Sequence, residues 1–404
     1  MTTQSSTFPL SPVTAEPVAN PGTLPRRATL ISLGLTVTAV QFSIAIAQIF
    51  LTVTVLAWLI TLSVERRRPA APSWMVPLLC YAAWSLLSAA FAPDISASLR
   101  ECKQLVLLLL IPITYEIVDE RSVMPLTTFM LAAGAVSALV GIGQFSILHY
   151  DYLGQRPRST LGLYMTFSGL MMLTLNFAVA RVLFTTRGRM WPALVIPALA
   201  VVLPLSLGRS AWVGAGLAVT MLLLMRDFRL TALIPVGAAA FFASAPPQVI
   251  RRFYSIFDLH DLSRLDRVAM LRAGAQIVRE HPLLGVGPNM ILRVYSQYRL
   301  PDAVLQDTPH LHNVPVQIAA ERGLPGLGLW LWFVVAIVMD VVRLFRGSSP
   351  EGPTRFLAAA ALASVVAMLG AGMFEHNFGD SEFQMLFLVL ITLPFAVSRH
   401  AREF

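Results

Sequence analysis

The chain has 404 residues, of which 56% are hydrophobic and only 13% charged, and its mean hydropathy is +0.68. That is far more apolar length than one soluble core could bury, and the apolar runs recur at bilayer-spanning length, so composition predicts an all-α, polytopic membrane protein. The formal charge of +8 comes from basic residues spread over loops between apolar runs, which excludes nucleic acid as a partner.

Residues 1–25 are rich in Ser, Thr, Pro and Ala and carry almost no charge, the composition of a disordered tail. Arg26 and Arg27 then precede the first apolar run. Ala45-Ile46-Ala47 imitates a signal-peptidase site, but apolar residues continue to Val64, so a retained pair of closely connected helices is expected. At about twenty residues per crossing, spans are expected near 28–44, 46–64, 74–92, 102–118, 124–148, 161–184, 190–207, 209–225, 228–245, 324–345, 355–375 and 382–398. About 12 transmembrane helices put both termini on one side. Cys80 and Cys102 lie in or beside these runs without metal-type spacing and are read as small apolar side chains.

The positive-inside rule sets the orientation. With the N-terminus cytoplasmic, the short inner loops collect Arg26, Arg27, Arg66, Arg67, Arg68, Arg187, Arg189, Arg226, Arg229, Arg343, Arg346, Arg399 and Arg402. The domain order expected is a cytoplasmic tail at 1–25, nine helices over 26–245, a periplasmic helical domain at 246–323, three helices over 324–398 and a cytoplasmic tail at 399–404. The remaining basic residues fall on the outer side, where an anionic ligand explains them. Lys103, the one lysine of the chain, sits a turn from Arg100, and the pair points two cations outward. Arg156 and Arg158 stand in another outer loop. Arg209 joins two apolar runs with almost no loop between them. A guanidinium so placed must reach water, a headgroup or a bound phosphate.

The outer excursion from Pro246 to Arg322 carries nine arginines and four of the seven histidines. One helix is expected from about Ser263 to His281-Pro282, with Arg264 and Arg267 on a shared face. It forms either a solvated surface or a wall of an anion pocket. A second begins near His312, with Pro315 in its first turn and Gly323 and Gly326 breaking its register. The helix dipole there favours a neutral imidazole able to accept a proton. Asn313 can orient a ring or bind a sugar hydroxyl, although His312 could equally well serve as a cap beside it. Between the last two spans, Glu375, His376, Asp380 and Glu382 form a polar knot that is either a solvated turn or a cavity rim pairing with the arginines. The scattered outer aspartates Asp258, Asp261, Asp266, Asp302 and Asp307 lack metal-site spacing, so no metal and no cofactor is expected.

His312-Asn313, followed at the right intervals by Gly323 and Gly326, resembles the signature of the O-antigen ligase (WaaL) and Wzy-type polymerase superfamily. Arg267 upstream of HPLLGVG, the Arg209 segment, RPRSTLG and Lys103 agree in order, over most of residues 95–390. Leu327 departs from the signature, which has Gly, Thr or Tyr there. The resemblance implies a GT-C-like membrane fold in the bacterial inner membrane with its active site facing the periplasm. It also implies metal-independent inverting transfer of O-antigen from undecaprenyl diphosphate to lipid A-core oligosaccharide. By resemblance His312 is the general base and Arg209 and Arg267 serve the diphosphate. Arg100, Lys103, Arg156, Arg158, Arg264, Asn313, His376 and Asp380 are expected to bind substrate, with membrane lipids as the surroundings. The alternatives are an O-antigen polymerase, a protein O-oligosaccharyltransferase and, in another class, a twelve-helix transporter. No internal repeat of six-helix halves favours the transporter.

Overall fold

The computed structural model describes residues 23–400 apart from 187, 259–260, 301–302 and 304. Most of both expected tails, together with Arg187, Asp302 and Arg402, lies outside the described residues. The described chain is all-helical. In order come α1 (Leu24–Ala39), α2 (Ile44–Glu65), α3 (Met75–Ala90), α4 (Ile95–Glu101), α5 (Leu110–Ile117), α6 (Glu120–Ser146), α7 (Tyr164–Phe184), α8 (Met190–Leu205) and α9 (Arg209–Arg226). They are followed by α10 (Leu233–Ser244), α11 (Pro247–Tyr254), α12 (Leu262–Glu280), α13 (Ile291–Tyr298), α14 (Val314–Gly347), α15 (Pro353–Gly372) and α16 (Ser381–His400). A 3-10 stretch, Cys102–Leu109, leads into α5.

Each of the twelve apolar runs falls on helix. Among the described residues, six helices are long and apolar enough to cross a membrane: Ile44–Glu65, Glu120–Ser146, Tyr164–Phe184, Val314–Gly347, Pro353–Gly372 and Ser381–Arg399. Met75–Ala90, Met190–Leu205 and Phe228–Ser244 are shorter apolar helices. The other runs fall short for local reasons. Basic residues open α1, the 102–118 run divides into 3-10 and α pieces, and α9 has an arginine at each end.

Burial separates the centre from the rim. The apolar window of α7 is 83% buried, and those of α15 and α16 are each 72% buried, against 28% for α2 and α14. The alanine-rich α15 lets its neighbours approach closely and packs against α7, α9, α14 and α16. At the rim, α2 leaves Ile49, Val53, Leu56, Ile60 and Val64 exposed, and α10 buries no residue at all. Such surfaces suit hydrocarbon rather than water.

Of the excursion elements, α12 packs against α14 and α13 against α12, while Val249 of α11 packs with Leu205 and Leu207 where α8 ends. Gly323 interrupts α14 with φ 69° and ψ 179°, a backbone state that is essentially glycine's alone. The interruption brings the loop after α12 alongside. Val286 N donates to Ala320 O (2.9 Å), Gly287 N to Glu321 O (2.8 Å) and Leu324 N to Pro282 O (2.8 Å). A Cβ on Gly323 would lie 2.0 Å from Leu283 O, and one on Gly285 would lie 2.3 Å from the Glu321 carbonyl carbon. The glycines of HPLLGVG and of the Glu321-Arg322-Gly323 step are therefore two sides of one backbone contact. Gly323→Ala is expected to cost about 1–3 kcal/mol from backbone strain alone. A thermal-unfolding scan of purified protein checks this, and an unchanged midpoint would contradict it. Gly326, expected to break the register as well, stays helical.

Candidate functional site

Helix α14 opens on Asn313, whose Oδ1 accepts from Val316 N (2.9 Å) while its Nδ2 donates to Met373 O at the end of α15 (3.0 Å). Both ends of the amide are thus engaged, which ties the segment before α14 to the segment after α15. Gln317 supports it from below by accepting from Leu311 N (2.7 Å). His312, held between them, has φ 49°, a left-handed state in which histidine is enriched. Its Nδ1 lies 2.8 Å from Glu375 Oε1, and His310 Nε2 lies 3.4 Å from the same oxygen. The two imidazole centroids are 4.3 Å apart. Burial raises the Glu375 pKa, but the hydrogen bonds from His310 and His312 outweigh it and hold the carboxyl well below the usual carboxylate range.

The polar knot was expected to be either a solvated turn or a cavity rim pairing with the arginines. Glu375 is buried and makes its direct contacts with the histidines, because the Asn313 tie sets their loop against the end of α15, while Arg267 acts on it only electrostatically. His376 has its Nδ1 buried without a hydrogen-bond partner among the described residues, and burial pushes its pKa down to about 3, so the ring is neutral at physiological pH. Asp380 accepts from Thr166 Oγ1 and from Phe383 N, in the first turn of α16.

The arginines do converge. Arg209, the first residue of α9, reaches Ser255 O (3.1 Å), Ser255 Oγ (3.0 Å) and Asp261 Oδ1 (3.1 Å), and its side chain is only 9% exposed. It faces the α11–α12 connection rather than lipid. Arg252 of α11 points to Asp261 Oδ2 (3.9 Å), and Arg156 lies over the Tyr164 ring at 4.0 Å. Arg267 of α12 is within electrostatic reach of Glu375, Arg209, Tyr164 and Asp261. Arg156 in turn feels Arg209 and Arg267. Burial pushes the Arg156 and Arg267 pKa values down, and burial together with Arg209 and Arg156 pushes Arg252 down to about 10. Arg209, Arg252 and Arg267 thus have Asp261 and Glu375 as counter-charges, Arg156 adds a fourth guanidinium beside them, and this excess of cation would be relieved by a bound anion.

The other expected site residues are spread more widely. Arg100 and Lys103 are exposed, the first near Asp94 and the second near Glu101. Arg158 is exposed and reaches Gly162 O at 3.3 Å. Arg264 is exposed beside its own helix cap, Asp261. Sequence reasoning passed over Arg252, Tyr164, His310 and Glu375. The closest signals were the His-X-His spacing of 310–312 and the polar knot itself, from which the neighbouring residues His376 and Asp380 were chosen.

Ligand atoms of His310, His312 and Glu375 lie within 4.8 Å of one another, close enough to hold a metal ion. The trio contains no aspartate and joins residues 63 positions apart, so no local spacing marks it. The 2.8 Å between His312 Nδ1 and Glu375 Oε1 is nevertheless shorter than the roughly 3.3 Å between two ligand atoms on one tetrahedral zinc. It is the distance of a hydrogen bond.

Residues 192–331 match the family model described as O-antigen ligase. The match supports membership of the O-antigen ligase superfamily. Chemically, that group implies a glycosyltransferase-like enzyme acting on polysaccharide or lipid-linked substrates. Within the matched stretch lie Arg209, Arg252, Asp261, Arg267, His310 and His312, whereas Arg156, Tyr164 and Glu375 come from outside it. The segment typical of O-antigen ligases thus carries most of the cations and both neighbouring histidines, and the bundle around it supplies the carboxylate. No curated protein matches the chain.

Proposed function

We propose that the protein is an O-antigen ligase, transferring O-antigen polysaccharide from undecaprenyl diphosphate to lipid A-core oligosaccharide by a metal-independent, inverting reaction. One observation carries this reading: the cluster of Arg156, Arg209, Arg252 and Arg267 adjoins a histidine whose Nδ1 is held by a buried carboxylate. A carboxylate only accepts, so Nδ1 carries the proton and Nε2 is left free to take one. An acceptor hydroxyl attacks C1 of the donor sugar, its proton passes to Nε2 of His312, and the bond from C1 to the diphosphate oxygen breaks. Glu375 stabilises the imidazolium formed, and the guanidiniums take up the charge of the departing diphosphate.

The twelve apolar helices then cross the inner membrane with both termini cytoplasmic. Residues 26–245 and 324–398 form the membrane part, and 246–323 the periplasmic domain. Arginines on that outer side oppose the positive-inside rule, and a lipid diphosphate accounts for them. Asp261, already paired with Arg209 and Arg252, would be the group the diphosphate displaces.

Purified protein incubated with lipid-linked glycan and rough lipopolysaccharide, with and without exhaustive chelation, tests the reading. The expected product is glycan on the core in both conditions. Growth of the lipid-linked chain alone would make the protein a polymerase. Loss of activity restored by zinc or magnesium would overturn the metal-free mechanism.

A further inference from the structure

A cavity of about 210 Å³ shares His310 with the catalytic cluster but is lined by none of the four arginines. Its chemistry differs from theirs. Glu101, Asn289 and Gln384 face it with carboxylate and amide groups, and Tyr81 adds an aromatic wall. Arg322, the one guanidinium in the lining, is already paired inside the wall, its Nη1 lying 2.6 Å from Glu321 Oε2 and its guanidinium 5.5 Å from the Tyr81 ring centroid. Glu321 is held in turn by Gln317 Nε2 (2.7 Å) and Asn289 N (2.9 Å). The lining therefore offers no spare cation to a phosphate. In its wall, half-buried His376 leaves its buried Nδ1 without a hydrogen-bond partner among the described residues. Amides, carboxylates, a neutral imidazole and an aromatic face are the groups that recognise sugar hydroxyls and C–H faces.

Displacement with inversion fixes the order of the participants. The leaving diphosphate lies on one side of C1 and the attacking oxygen on the other, with the base beside the attacking oxygen. The arginines mark the leaving side. We propose that this cavity holds an uncharged, hydroxyl-bearing sugar ring of the acceptor and presents it to His312 from the side opposite the diphosphate. The proposal rests on the glycosyl-transfer reading and adds to it the place and chemistry of the second substrate.

The test uses the full-length protein and the variants Glu101→Gln, Gln384→Ala and Leu105→Trp, the last of which fills the cavity from the 3-10 stretch. In transfer assays Glu101→Gln and Gln384→Ala are each expected to raise the acceptor KM about tenfold, the cost of one lost hydrogen bond, and Leu105→Trp to raise it further by excluding the ring, while the donor KM is unchanged. Saturation-transfer NMR with deacylated core oligosaccharide, recorded without donor, is expected to show sugar contacts in the wild type that Leu105→Trp removes. Variants that unfold at the wild-type temperature but keep the wild-type acceptor KM would overturn the proposal, as would a rise in donor KM in its place. If the wild type transferred no glycan, the enzyme reading would fail by itself, and the oligosaccharide contacts would still decide whether the cavity binds sugar.

Discussion

His312→Ala is expected to lower glycan transfer by about a hundred- to ten-thousandfold, the range that a positioned general base contributes. The fold should survive, because the backbone around His312 is held by other groups. Leu311 N is bound by Gln317 and the first turn of α14 by Asn313, and neither contact uses the imidazole. Glu375→Gln is the informative companion. A glutamine oxygen can still accept from Nδ1, but it no longer balances the imidazolium. The expected loss is about ten- to a hundredfold, from a charge-assisted bond worth about 1.5–3 kcal/mol. Rates should fall with little change in the KM for either substrate. Full activity in His312→Ala would remove the base from the mechanism, and full activity in Glu375→Gln would reduce the 2.8 Å contact to packing.

Arg267→Ala is expected to lower the transfer rate by about a hundred- to a thousandfold, the effect of deleting one preorganised donor to a developing anion. Arg267 is the sharpest probe of the cluster, because its guanidinium makes no hydrogen bond or ion pair with another described residue and lies within reach of both Arg209 and Glu375. Its donors are therefore uncommitted until a ligand arrives. Arg209→Ala should reduce transfer too, but that change also releases Ser255 and Asp261 and so should lower the thermal midpoint. Arg267→Lys restores the charge without the planar fork and is expected to recover only part of the rate. Single-turnover kinetics with lipid-linked donor separate these cases. An Arg267→Ala enzyme with wild-type rates would mean that the cluster serves to anchor the protein, not to transfer glycan.

Sequence reasoning and structure agree most closely on segments whose information is local. The apolar runs at 46–64, 124–148, 161–184, 355–375 and 382–398 fall on helices long and apolar enough to cross a membrane, as expected where twenty consecutive apolar residues leave the backbone no other partner in hydrocarbon. The helix expected from Ser263 to His281 is α12, and the one expected near His312 starts at Val314. Arg209 was singled out because a charge without a loop must be answered by something nearby. The structure names the answer as Asp261, 52 residues further on. Glu375 shows the reverse. It is 63 residues from His312, and no periodicity or spacing links the two.

By itself, the sequence determined that the chain is helical and membrane-borne, where its helices lie, and that arginines and histidines concentrate in one late polar stretch. Hydrophobic length and charge placement are properties of each segment, so they need no neighbours to be read. Tertiary packing alone decided which of those charges meet. Helices α7, α9, α12, α14 and α15 bring Tyr164, Arg209, Arg267, His312 and Glu375 to one end of the bundle. Lys103 and Arg264, equally prominent in the sequence, remain exposed at its surface. A charge acts on what lies within a few ångströms of it, and that distance is set by how the helices cross.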